Sequence, residues 1–201
     1  MESTIKILGA ILLCSAVFQL SQAQPTFTKS DICGKYDCPK YRVESKNNEY
    51  EVRVYEGGAA WIHTEYRDNM FANYILFRRL FNYINGANER VSKFNMTVPV
   101  LMKSENNQKT MMFYLGKGSF PQPTQKEVKL QTTKEHKVFV RGYESFWFFG
   151  EEMNEKKLKN ALEKENAKFK SNYYYSVGYS RPMYFRKSYK EIWYAAKDAD
   201  I

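Results

Sequence analysis

The chain has 201 residues but only 3 Cys, 2 His, 6 Pro and 10 Gly, and 22 acidic side chains against 31 basic ones. So little proline and glycine excludes a collagen-like or low-complexity chain. The two histidines, His63 and His136, stand far apart, so no His-rich metal set exists. No second cysteine pair completes a zinc site, and no Cys-x-x-Cys spacing offers redox chemistry. The chain lacks a phosphate-cradling glycine loop and a nucleophile elbow. Adjacent carboxylates such as Glu151-Glu152 diverge on any regular element. No catalytic grouping is left, so binding rather than turnover is expected. No apolar run reaches the ~20 residues of a bilayer-spanning helix, and no motif that reads nucleic acid is present.

What the chain does have is ring area: 16 Tyr, 14 Phe and 3 Trp, or 16% aromatic. That much can fill a core and line an apolar site as well. With a hydrophobic share of 43%, one folded domain is expected. The net charge of +9 fits attraction to anionic surfaces such as glycosaminoglycans or membranes.

The first residues read as an address. Lys6, the apolar run from Ile7 to Phe18, and Ser21-Gln22-Ala23 predict a signal peptide over 1–23 and a secreted, extracellular protein. Cys14 leaves with it. Cys33 and Cys38 remain in an N-terminal segment, 24–40, where an oxidising compartment predicts a disulfide between them. Asn95-Met96-Thr97 is a sequon, which makes Asn95 a candidate glycosylation site.

Alternation predicts strands at Tyr41–Ser45, Tyr50–Tyr55 and Ala59–Tyr66. Helical spacing follows in Met70, Tyr74, Phe77, Phe81 and Ile84, stopped by Asn85-Gly86. Strands are expected at Phe94–Leu101 and Lys109–Leu115, and a loop over 116–125. The pattern then recurs. Val138–Glu144 echoes Tyr50–Glu56, a helix is expected from Met153 to Phe169, and strands at Tyr173–Tyr179 and Tyr189–Ala196. The fold class is therefore α+β, a duplicated unit with antiparallel strands and one helix in each half, within a single domain over 41–201. His136 reads as a solvated turn residue. The run Lys156-Lys157…Lys159 reads as a salt-bridged, solvated helix face.

Several of these segments together carry a resemblance. Tyr50–Tyr55, Asn82–Glu89, Met96-Thr97-Val98-Pro99-Val100, Val138–Arg141, Tyr174–Tyr179 and Glu191-Ile192-Trp193 resemble the SOUL/heme-binding protein family, in the family's order. The resemblance implies a distorted β-barrel of two pseudo-symmetric repeats, monomeric, that binds heme or a related porphyrin without catalysis. It implies ligand contacts at Tyr74, Phe81, Asn82 and Tyr184, with Phe77 on the same helix. A studied relative carries Arg, Met, Lys and Lys at the first four of these positions; here three are aromatic and none is charged. Arg78, Arg79, Arg186 and Lys187 stand nearby as rim cations for the propionates. Another branch has a histidine where this chain has Val54, which cannot coordinate iron, so His63 is the candidate axial ligand. Two other readings fit the same residues. One is a binder of a different amphipathic small molecule; the other is a secreted interaction protein that uses its basic surface.

Overall fold

The computed structural model describes residues 26–146, 149–180, 187–199 and 201. The expected signal segment 1–23, Tyr184 and Arg186 lie outside them. A short 3-10 turn, Asp31–Cys33, precedes nine strands and two helices. In chain order these are β1 Tyr41–Lys46, β2 Glu51–Tyr55, β3 Ala59–Arg67, α1 Ala72–Ile84, β4 Val100–Glu105 and β5 Gln108–Lys117. Then come β6 Val128–Thr133, β7 His136–Phe146, α2 Glu151–Lys164, β8 Tyr175–Gly178 and β9 Lys187–Ala195.

All strands join one antiparallel sheet in the order β1-β2-β7-β9-β8-β4-β5-β3-β6. The expected barrel is not closed: among the described residues, β1 and β6 stay at the two edges and do not pair. Both edges carry exposed charge, Glu44 and Lys46 on one and Lys129 on the other, and such edges stay solvated. The echoing segments at Tyr50 and Val138 turn out to be neighbours, β2 paired with β7 through Arg53 opposite Val138.

Side-chain alternation splits the core in two along the sheet. On one face Tyr55, Trp61, Leu101, Met112, Val140, Val177 and Trp193 form a single cluster that draws on both ends of the chain. On the other face, α1 covers Ile62, Met111 and Phe113, while α2 covers Phe139, Ile192 and Tyr194. Cys33 and Cys38 are disulfide-bonded and buried in the first cluster. The Val98 amide donates to the Asp37 carbonyl, which ties the clip to the sheet, and Thr28 bridges to Tyr41.

Some boundaries differ from expectation. Of Phe94–Leu101, only the end from Val100 is strand, since Pro99 has no N–H to give a ladder. β6 has no counterpart in the sequence reading, because Lys129, Gln131 and Thr132 dilute its apolar pattern. α2 stops at Lys164 and Asn166 takes φ 53°, so Phe169 leaves the helix stripe and packs its ring on Tyr194 instead. His136 is not a solvated turn residue. It is buried at the start of β7, with its ring stacked on Tyr55 at 5.6 Å.

Candidate functional site

Helix α1 begins after a turn in which Asn69 Oδ1 accepts the Phe71 N–H. It ends where the Asn85 and Gly86 amides close onto the last turn, Gly86 having a φ of 113° that suits glycine. Two apolar stripes share its 3.6-residue period. Ala72, Leu76, Leu80, Tyr83 and Ile84 are buried against the sheet. Tyr74, Phe77 and Phe81 are not: they are 65%, 41% and 43% exposed, and Met70 and Phe71 continue the surface at the helix entrance.

These rings are ordered by contact with one another and with the core. Phe77 stacks on Phe81, centroids 5.6 Å apart and planes 17° apart. It also meets Phe113 of β5 edge-on at 5.4 Å, which roots the stripe in the core beneath α1. Tyr74, Arg78 and Asn82 form an i, i+4 row beside the two phenylalanines. Arg78 is exposed, and no acidic residue lies on α1. The result is an open aromatic face about three turns long with a cation on its flank.

Arg79 is engaged elsewhere. Its Nη1 donates to the Glu65 carbonyl at 3.0 Å, and its guanidinium lies 5.4 Å from the Tyr66 ring centroid. Lys187 opens β9 in the α2 half of the sheet, with its Nζ 5.6 Å from the Phe146 ring centroid.

His63 is on β3, but Ile62 is the residue there that faces α1. His63 alternates to the side of Trp61, on the opposite face of the sheet from the aromatic stripe. Burial holds it below the usual imidazole range against the pull of Glu65, with Lys129 and Lys103 adding to the effect of burial. His63 and the aromatic face of α1 are therefore on opposite sides of the sheet. Among the described residues, no cluster of three or more His, Cys, Asp or Glu is placed to hold a metal ion. Asn95 is exposed, while the hydroxyl of the sequon's Thr97 is buried and donates to the Tyr114 carbonyl.

Sequence reasoning missed a polar centre on the inner face. Glu191 is fully buried, and its carboxylate accepts from Arg53 Nη1 at 2.9 Å, Tyr179 OH at 2.7 Å, Tyr189 OH at 2.9 Å and Trp193 Nε1 at 2.7 Å. Arg53 also bridges to Glu51 and lies 4.5 Å from the Tyr41 ring centroid. Burial opposes the arginine's charge, but Glu191, with Tyr55, Tyr41 and Tyr179 adding to it, more than offsets this and holds the guanidinium protonated. Burial, with the Glu191 charge adding to it, pushes Tyr189 well above the usual phenol range. Tyr189 lies across Gly142, where an added Cβ would collide with its hydroxyl and ring. The available signal was an Arg flanked by Val52 and Val54, and a Glu directly before the apolar run Ile192-Trp193-Tyr194-Ala195. Every oxygen of Glu191 is engaged, so this centre is closed and structural.

A family model described as SOUL heme-binding protein matches residues 36–195. Heme-binding protein 2 of Mus musculus is 29% identical over 170 residues, covering 78% of this chain and 82% of its own length. Heme-binding protein 2 of Homo sapiens is 27% identical over 164 residues, covering 74% and 78%. Among solved structures, a hydrolase from Listeria innocua shares the fold at a TM-score of 0.53 and 11% identity, over 75% of this chain and 93% of its own.

Proposed function

The chain belongs to the SOUL heme-binding protein family, and from that premise we propose that it binds heme, or a related tetrapyrrole, on the aromatic face of α1. The observation that carries this is that Tyr74, Phe77 and Phe81 stay exposed on a helix whose sheet contact is already made by Leu76 and Leu80. A tetrapyrrole is a flat apolar disc with carboxylates at one edge. The residues present fit it: rings for the disc, and Arg78 for a propionate. Covering about 200 Å² of apolar surface contributes roughly 5 kcal/mol, enough to hold a disc by contact alone. When bound, the iron supplies a further bond to a suitable side chain. The atom types at this face that ligate heme iron are the Tyr74 phenol and the Met70 thioether; His63 is on the other side of the sheet.

The reading extends to place and build. The apolar run at 7–18 and the Cys33–Cys38 bond support secretion. The strand order supports two related halves. Exchanging β2 with β6, β3 with β7, β4 with β8 and β5 with β9 returns the same order reversed, with β1 standing outside it.

A hemin titration followed through the heme absorbance band tests the site. Saturable one-to-one binding at micromolar hemin is expected. The pair Tyr74→Ala/Phe81→Ala should weaken it roughly tenfold or more, since two ring contacts go. His63→Ala should leave both affinity and spectrum unchanged. Absence of saturable binding, or its loss in His63→Ala alone, overturns the reading. Among the described residues Arg78 is the one free cation on the flank of the rings, which also favours a less acidic amphipathic ligand; an apolar probe that hemin fails to displace from the protein identifies that case.

A further inference from the structure

The turn from β7 into α2 presents a second apolar surface, far in the fold from α1. Phe149 is 75% exposed and Met153 54%, and Phe146 at the end of β7 is 42% exposed. A soluble domain gains nothing in its own core from rings held in water, and an exposed aromatic turn of this kind marks an interaction surface.

The charges around it have one sign on the open side. Met153, Lys157, Asn160 and Lys164 follow at helical spacing along the outer face of α2, and all are exposed. Lys157 and Lys164 make no ion pair with any described residue. The carboxylates of the same helix are turned away or answered: Glu151 accepts from Tyr174 and Ser176, Glu155 accepts from Tyr194, and Glu152 pairs with Lys156 at 2.7 Å. Glu163 is exposed on the flank. Glu144, also exposed, is on the sheet face opposite α2, a face that Phe146 shares, whereas Phe149 and Met153 belong to the α2 side. At the tip itself, Lys187 lies against the Phe146 ring.

We propose that this end of the molecule docks on an anionic lipid bilayer, with Phe149 and Met153 entering the headgroup boundary and Lys157 and Lys164 resting on acidic headgroups. An apolar tip backed by lysines is the arrangement that interfacial binding uses, the rings supplying burial and the cations long-range attraction. A polyanion such as heparin would use the lysines alone and leave the rings in water. A protein partner would not distinguish headgroup charge. The proposal is independent of the α1 site.

Co-sedimentation of the full chain with vesicles of neutral phosphatidylcholine, and with vesicles containing phosphatidylserine, decides it. Binding should require the anionic lipid. Phe149→Ser/Met153→Ser should lower the vesicle affinity roughly tenfold or more, through lost apolar burial, with heparin retention unchanged. Lys157→Glu/Lys164→Glu should lower it at least ~25-fold, about fivefold for each lysine removed. All four side chains are exposed, and an unchanged circular dichroism melt confirms that the fold is kept. Vesicle binding that survives Phe149→Ser/Met153→Ser, that ignores headgroup charge, or that is absent altogether overturns the proposal. Hemin binding to Phe149→Ser/Met153→Ser should equal that of the parent, which separates this test from the α1 reading.

Discussion

Arg53 and Glu191 show how a single buried pair organises its surroundings. Each is charged, each is almost wholly removed from water, and the cost of that removal is offset by mutual attraction and three further donors on the carboxylate. Removing one partner leaves the other charged and buried. Arg53→Met should therefore destabilise the fold by about 3–5 kcal/mol, and Glu191→Gln should also be costly, since a neutral amide answers Arg53 poorly. In Arg53→Met/Glu191→Met the stranded charge disappears. That double variant should fall well short of the sum of the singles, because the two sites share one network. Urea unfolding of the three variants measures this. A loss under ~1 kcal/mol in Arg53→Met would mean that water reaches Glu191 and the pair is not closed. The sequence displayed these two residues but not their meeting, since 138 positions separate them and only the sheet order brings β2 and β9 to either side of β7.

At the scale of the element, α1 shows what periodicity can and cannot tell. Met70, Tyr74, Phe77, Phe81 and Ile84 stand at helical spacing, and so do Ala72, Leu76, Leu80 and Tyr83. Both stripes predict the helix. Which side chains face the sheet is decided by shape: Ala72, Leu76, Leu80, Tyr83 and Ile84 fit against Ile62, Met111 and Val128, and Met70, Tyr74, Phe77 and Phe81 are left outside. The helix was thus legible to within two residues, while its buried face was not. The face on which His63 lies was not legible for a related reason, since one step along a strand changes the face of the sheet. The exposed face gives a clear expectation. Leu80→Ala should cost about 2–5 kcal/mol by opening a cavity. Phe81→Ala, one residue on, should cost about 1 kcal/mol or less, mostly its stacking on Phe77. Thermal denaturation of both variants checks the contrast. Equal losses would place Phe81 in the core and remove the physical basis for a ligand face on α1.

For the whole molecule, the controlling feature is that the chain's two ends are interleaved in one sheet. A cut in the turn at Lys134-Glu135 separates β1–β6 from β7–β9, yet β2 takes its ladder partner from β7 and β4 takes one from β8. The inner cluster is divided as well: Tyr55, Trp61, Leu101 and Met112 lie before the cut, and Val138, Val140, Val177 and Trp193 after it. The earlier fragment keeps α1 on β3, β5 and β6 and loses Val138, Val140, Val177 and Trp193 from its inner cluster. The later fragment keeps α2 but has only three strands for it. Each would expose a broad apolar sheet face and open ladder edges, more than a single helix–sheet layer can offset. Residues 26–134 and 135–201, produced separately, should therefore each lack a cooperative melt. Mixed in equal amounts, they should recover strand-rich circular dichroism and one transition, because the missing β2–β7 and β4–β8 ladders re-form together. A cooperative transition in either fragment alone would show that its helix–sheet layer is sufficient, and the inner cluster would then be an interface between two folding units rather than the common core of one.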